Sequence, residues 1–275
     1  MIKVESIGPN ESIGLDPREA GFAYGMAVFE TIKVAGGRVY FWSRHWRRFQ
    51  KSIAECFGYN CSKVDEQVLL SALAPLAKDY ALSDFMLKLS FMIRSDGPSV
   101  FLYGRAPFTC PSTASLCLNL DYPIDEVSIL KGHKTHNYFE NMWLKKAAQA
   151  AGFTDYLRLN RAGYVCETST ANCFFIREGK ALTASTASGI IPGVIRECLI
   201  ETMGFETGDI SVGELASFEA AFITNSSVEL VPVERIEGFL EGGSVHFDTA
   251  MHPLIAEAIE QLKIIARAES IDLDY

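Results

Sequence analysis

The sequence predicts a mixed α/β fold, grading into α+β, in two domains. Three observations predict it. The chain has 275 residues, and a domain takes roughly 150. Short β-rich runs with period-2 alternation outnumber the amphipathic helical stretches. The pattern breaks at 121–133, where a proline, a glycine and mixed charges fall together. The reading is a small N-terminal domain at 1–120, a linker at 121–133 and a larger C-terminal domain at 134–275.

In chain order, residues 28–34 are β-rich, Gly36 and Gly37 mark a turn, and 38–41 are β-like again, a hairpin signature. Ser43 is placed to cap a helix whose Trp46, Phe49, Ile53 and Cys56 share one face, with Gly58 as its stop. A second helix is expected over 64–80, interrupted near Pro75. Residues 85–94 alternate, with Leu87, Leu89, Phe91 and Ile93 on one side and Lys88 and Ser90 on the other, as in a half-buried strand. Residues 100–103 and 114–120 are expected to continue that sheet. Past the boundary, a helix over 137–151 ends at Gly152, and strands follow at 156–159, 164–167 and 173–176. A helix over 193–203 opens after Pro192, strands are expected at 220–224 and 229–233, and 252–267 closes the chain as an amphipathic helix.

Composition narrows the function. Hydrophobic residues make 48% and charged residues 21%, which excludes a disordered chain. A formal charge of −9 argues against nucleic acid and anionic membrane surfaces, whose phosphates repel an acidic protein. A single phosphate held by a local basic cluster is not excluded. No apolar run approaches the ~20 residues of a membrane span, and the N-terminus lacks a leader pattern. The seven cysteines form no CxxC, so they read as small core side chains in a reducing cytoplasm, with no metal site expected.

Four stretches hold candidate chemistry, and each also has an ordinary reading. Arg44, His45, Arg47 and Arg48 crowd one helical turn: a solvated basic face, or a phosphate anchor using a bidentate guanidinium. Lys134 precedes a helix, where most lysines are merely exposed. Glu167 follows a strand and is a turn carboxylate or an acid with a task. Residues 189–196 are a Gly/Pro turn opening a helix, a common start that also presents N–H groups to an anion.

In order, these stretches resemble the class IV aminotransferases, the fold-type IV enzymes of pyridoxal 5′-phosphate (PLP), which include branched-chain and D-amino acid aminotransferases and aminodeoxychorismate lyase. The resemblance runs from about Gly21 to Val233 and rests on six blocks: 21–31 (GFAYGMAVFET), 45–49 (HWRRF), 134–138 (KTHNY), 165–174 (VCETSTANCF), 189–196 (GIIPGVIR) and 222–227 (FITNSS). It implies a small sheet-plus-helices domain, a larger barrel-like domain and a homodimer.

The resemblance also implies roles. Lys134 matches the Schiff-base lysine, Arg48 the arginine on the PLP phosphate, and Tyr138 the tyrosine near the cofactor's phenolate side. Glu167 matches the carboxylate facing the pyridine nitrogen. The backbone at Val194 and Ile195 and the side chain of Ser226 match the rest of the phosphate cup. Chemistry agrees with the set: an amine for the imine, an anion that keeps the ring nitrogen protonated, and a guanidinium, hydroxyl and helix amides for phosphate. Ile195 stands where the family often has threonine, which removes a hydroxyl but leaves the amide. The loop 95–99 (SDGPS) lacks the usual Arg-Gly-x-Gly.

For substrate, the resemblance points to Phe29 on the first strand, to Arg94 or Arg105 for a carboxylate (Arg105 reading rather as surface), and to the Ser226–Ser227 amides. The implied reaction is transamination between an amino acid or primary amine and a 2-oxo acid. The alternative is an aminodeoxychorismate lyase giving 4-aminobenzoate and pyruvate from the same cofactor site. A non-catalytic binding protein of the same fold is a third reading, which loss of Lys134 or Glu167 would have favoured.

Overall fold

The structure, a computed structural model, describes residues 2–60, 66–79, 84–239, 242–248 and 252–273. The chain forms two compact units: Met1–Phe108 with His133–Tyr138 and Ile265–Tyr275, and Thr109–Gly132 with Phe139–Ile264. The expected linker at 121–133 thus lies within the second unit up to Gly132, and Lys134 belongs to the first.

The first unit is built on β1 (Lys3–Ile7), β2 (Ala27–Ala35), β3 (Arg38–Val39), β4 (Asp84–Arg94) and β5 (Gly97–Arg105), with α1 (Ala20–Ala23), α2 (Trp42–Phe57) and α3 (Glu66–Asp79). Its sheet is six-stranded in the order β1-β5-β4-β2-β3 and then Ile271–Asp272. β2 pairs antiparallel with β4, Phe29 opposite Ser90 and Thr31 opposite Lys88. Val28, Ile32 and Val34 of β2 join Leu87, Leu89 and Phe91 of β4 and the buried Trp42, Phe49 and Ile53 of α2 in one core. Side chains alternate across a strand, so Phe29, Thr31, Lys88 and Ser90 share the sheet's other face. That face is not open as a half-buried strand would be: Met86, Ser90 and Met92 of β4 are buried too, because the strand is central.

Two local expectations are corrected. Helix α2 starts at Trp42, and its N-cap is Phe41 in the left-handed region (φ 54°), with no capping side chain. Ser43 already lies inside the helix, because the hairpin runs into it without a spacer. Helix α3 passes through Pro75; the cost of roughly 3 kcal/mol for an interior proline is offset by burial of Leu69, Leu73, Leu76 and Ala77. Residues 64, 65 and 80 of that expected helix lie outside the described residues, as does Cys61.

The second unit carries β6 (Ala114–Ile124), α4 (Phe139–Ala150), β7 (Asp155–Asn160), β8 (Val165–Thr168), β9 (Asn172–Arg177), β10 (Lys180–Ala184), α5 (Val194–Met203), β11 (Glu206–Gly208), β12 (Ala220–Asn225), β13 (Glu229–Glu237) and β14 (Ser244–His246). Its nine-stranded sheet runs β11-β10-β9-β12-β13-β6-β7-β8, with β14 on β13, and β8 pairs back to β9. That last pairing, Glu167 opposite Asn172, closes the ring into a barrel, whose core includes Leu116, Leu157, Phe175, Ile223, Val231 and Ile236. β6 lies between β13 and β7, so 114–120 belong to this sheet and do not continue the first one. Alternation marks a strand but not the sheet it joins. The last helix, α6 (Pro253–Ala268), opens on a proline, whose missing N–H costs nothing at the first helical position. Among the described residues, no helix is long and apolar enough to cross a membrane.

Candidate active site

Lys134 stands on a short extended segment laid along β2. Phe29 N–H donates to the Lys134 carbonyl at 2.8 Å and His136 N–H to the Ala27 carbonyl at 2.9 Å, and Thr135 bridges Val28 in antiparallel sense. This pairing keeps 133–138 out of the helix, so α4 begins at Phe139 and not at 137. Lys134 Nζ donates to Tyr138 Oη at 3.2 Å. It lies 4.6 Å from the centroid of the Phe29 ring and 4.5 Å from that of Tyr138. The two rings meet edge to face, 5.3 Å apart at 88°. The amine is therefore held by two aromatic walls and one hydroxyl.

A second lysine shares that wall. Lys88 Nζ sits 3.8 Å from the Phe29 centroid and donates to Thr31 Oγ1 at 2.8 Å. Burial, with the charges of Lys134 and Arg105, lowers its pKa to about 7, against a small opposing pull from Glu30. His136 completes the group, 5.5 Å from Phe29 by ring centroids and 3.3 Å from Ser90 Oγ through Nε2. Burial and Lys88 lower its pKa.

The basic turn of α2 divides its side chains among different partners. Arg44 pairs with Glu269 at 2.7 Å, and Arg47 is exposed. Arg48 donates to both oxygens of Glu30, Nε to Oε1 at 2.8 Å and Nη2 to Oε2 at 2.5 Å, and His45 Nδ1 meets Oε2 at 2.8 Å. Glu30 is buried on the core face of β2. Burial opposes its charge, yet Arg48 and His45 together hold its pKa at about 2. Burial lowers the pKa of His45 against the pull of Glu30, and its Nδ1, facing an ionised carboxylate that can only accept, donates an N–H there.

Arg94 points elsewhere. It meets Glu5 at 3.1 Å and Glu19 at 3.5 Å, and donates to the Gly14 carbonyl at 3.2 Å. Arg105 is exposed at the end of β5. The cation that joins Lys134 beside Phe29 is Lys88.

In the second unit, Glu167 lies near the end of β8, inside the barrel wall. Its Oε2 accepts from Asn172 Nδ2 at 2.8 Å and its Oε1 from the Ile191 N–H at 3.1 Å. Asn172 Nδ2 also donates to the Ile191 carbonyl at 2.9 Å. Gly193 is the N-cap of α5 and brings no capping side chain, so the helix opens with the N–H groups of Val194 and Ile195. A Cβ at Gly193 would fall 2.0 Å from Asn172 Oδ1, so the approach requires glycine. Ser226 and Ser227 form the turn after β12. Asn225 Oδ1 accepts from the N–H of Ser227 at 2.8 Å and of Val228 at 3.0 Å, and its Nδ2 donates to Thr170 O at 3.2 Å. Thr224 Oγ1 is buried without a hydrogen-bond partner.

The structure thus gathers Lys134, Tyr138 and Phe29 in the first unit, where Arg48 is set by Glu30. In the second it gives Glu167, Val194 and Ile195 a common neighbour in the 191–193 turn. Sequence reasoning missed Glu30, His45 as its partner, Lys88 and Asn172. Two of these left a trace: a glutamate on the apolar face of β2, and a lysine on the polar side of β4.

The family model for amino-transferase class IV matches residues 27–236. The chain is 28% identical to the aminodeoxychorismate lyase of Bacillus subtilis (strain 168), over 81% of this chain and 82% of that protein. It is 25% identical to the D-alanine aminotransferase of Bacillus licheniformis, over 82% and 83%. Among solved structures, a putative 4-amino-4-deoxychorismate lyase from Legionella pneumophila superposes with a TM-score of 0.83 at 20% identity, covering 96% of this chain and 100% of the other.

Proposed function

The chain belongs to the amino-transferase class IV family, a family of PLP-dependent enzymes, and from that premise we propose that it is a transaminase moving an amino group between an amino acid or primary amine and a 2-oxo acid. The observation that carries the reading is the seat of Lys134, an amine fixed by Tyr138 Oη at 3.2 Å between two aromatic rings.

The residues present fit PLP. An uncapped helix start at Gly193 suits a phosphate, because the N–H groups and the helix dipole favour an anion there. Glu167 is a carboxylate held in place by Asn172 Nδ2 and the Ile191 N–H, an acceptor whose chemistry suits a ring N–H. Under this reading Lys134 holds the cofactor covalently. Arg48, the Val194 and Ile195 amides and the Ser226 hydroxyl take its phosphate, Glu167 faces its ring nitrogen, and Tyr138 its phenolate side. When bound, PLP supplies an aldehyde for amines and a ring that accepts the electron pair left at the substrate Cα. Lys134 Nζ would then move the proton at that Cα as base and then as acid. Tyr138 Oη orients Nζ for the transfer, and Glu167 stays an acceptor. Phe29 walls the substrate, whereas the Ser227 N–H is already given to Asn225 Oδ1 at 2.8 Å and would have to leave it to meet a carboxylate. Arg94 would have to leave Glu5 and Glu19 to serve there.

A second reading is a lyase giving 4-aminobenzoate and pyruvate. It is favoured by the likeness to the Bacillus subtilis lyase over most of both chains. Both reactions begin with the same proton removal. Purified protein incubated with a panel of amino donors and pyruvate or 2-oxoglutarate, and separately with aminodeoxychorismate, separates them: amino transfer supports the first, 4-aminobenzoate the second, and neither product rejects both.

We further propose a homodimer in the cytoplasm. Phe22 and Tyr24 are 61% and 72% exposed, and an obligate interface buries roughly 2,000 Å² or more. Sedimentation of a fully active monomer at micromolar concentration would reject the dimer.

A further inference from the structure

Glu30 is out of place by the ordinary rules of a strand. It shares the core face of β2 with Val28, Ile32 and Val34, and it is 1% exposed. A carboxylate there is tolerated only when paired and hydrogen-bonded. The pairing comes from α2, where His45 and Arg48 are three residues apart and project from one side of the helix. Arg48 meets Glu30 edge-on through Nε and Nη2. That bidentate contact fixes the plane of the guanidinium, which a single contact would leave free to turn. His45, fully buried, fixes Glu30 in turn through Nδ1.

A buried ion pair is weak evidence for a stability role, because desolvation offsets much of its attraction. The geometry points to a different use, and it rests on the reading that Arg48 holds the PLP phosphate. We propose that Glu30 is a positioning residue: it sets the plane in which Arg48 meets phosphate, and His45 sets Glu30. The proposal has an unusual sign. Glu30 puts a negative charge beside an anion site. If it acted on phosphate by charge alone, removing that charge would tighten binding. If it acts by aiming Arg48, removing it loosens binding.

The test is titration of PLP into the full-length protein, followed by absorbance, with thermal melting as a folding control. Glu30→Gln should weaken PLP affinity about tenfold, the scale of one charge-assisted hydrogen bond. His45→Phe should also weaken it, and His45→Asn, which keeps an N–H donor near Nδ1, should restore most of the loss. A merely structural Glu30 is exposed by the double variant. Once Arg48→Ala has removed the group being aimed, Glu30→Gln should cost no further affinity; an undiminished second loss would overturn the proposal. PLP binding by Glu30→Gln as tight as wild type or tighter, with Arg48→Ala still weak, would also overturn it. If Arg48→Ala binds PLP as wild type does, the phosphate reading of Arg48 falls, and the proposal with it.

Discussion

Asn172 holds Glu167. Its Nδ2 donates to Oε2 at 2.8 Å and to the Ile191 carbonyl at 2.9 Å, while the Ile191 N–H closes on Oε1 at 3.1 Å. One side chain ties the end of β8 to the turn that opens α5. In the proposed function this turn presents the phosphate amides and Glu167 faces the ring nitrogen, so Asn172 sets the relation between the two.

Asn172→Leu keeps the side-chain size and removes the donor. A buried carboxylate that loses a hydrogen bond costs about 1–3 kcal/mol, so the melting temperature should fall by several degrees. Turnover of the PLP-loaded protein should fall too, because Glu167 is no longer held in place. Gly193→Ala should show the same defect from the other side, since its Cβ meets Asn172 Oδ1. A melting loss with unchanged turnover would show that Asn172 only braces the fold.

Borohydride added to the PLP-loaded protein should fix the cofactor on Lys134, read by peptide mass. The structure names the rival: Lys88, on the same Phe29 ring and with its pKa lowered to about 7, has a substantial neutral fraction near neutral pH. Lys134→Ala should lose the adduct and nearly all turnover. An adduct on Lys88 in the wild type would reassign the site.

Glu30 sets a pH signature. Its pKa is about 2 in the folded chain against 4.5 ordinarily, so the folded state binds fewer protons than the unfolded one between those values. The sign follows: the stabilisation is present above pH 4.5 and is lost as pH falls toward 2. It amounts to something on the order of 3 kcal/mol. The stability gap between wild type and Glu30→Gln, measured by urea unfolding, should therefore shrink from pH 6 to about pH 3. A gap that stays constant over that range would contradict the assignment.

Much of this was legible in the sequence because it is local. Strands 85–94 and 173–176 show their alternation and apolar runs, α2 its apolar stripe, and the ordered blocks from Gly21 to Val233 the family. What was not legible depends on long-range pairing. Nothing near Lys134 says that its segment lies along β2, where 133–138 join the first unit although 109–132 do not. Nothing near β6 says which sheet it joins. Glu30 looks anomalous alone and becomes intelligible only when α2 folds back over it. The basic turn was visible as a cluster, but the pairing of Arg44 with Glu269 and of Arg48 and His45 with Glu30 was not, since those carboxylates lie on other elements. Pro75 misled because buried leucines outweighed a local rule.

The excursion of residues 133–138 into the first unit has a consequence for synthesis and for genetics. Strand β2 leaves the ribosome long before Lys134 does, so the lysine's place along that strand must stay vacant while the intervening chain is made. Seating it is a late, non-local event, of the kind that slows folding. For the same reason no single cut in the gene releases the first unit whole. A fragment ending at Phe108 lacks the extended segment that bears Lys134 and the C-terminal strand at Ile271–Asp272, and a fragment starting at Thr109 carries Lys134 with no β2 to receive it. Expressed apart, the halves should be inert, and activity should return only when both are supplied together.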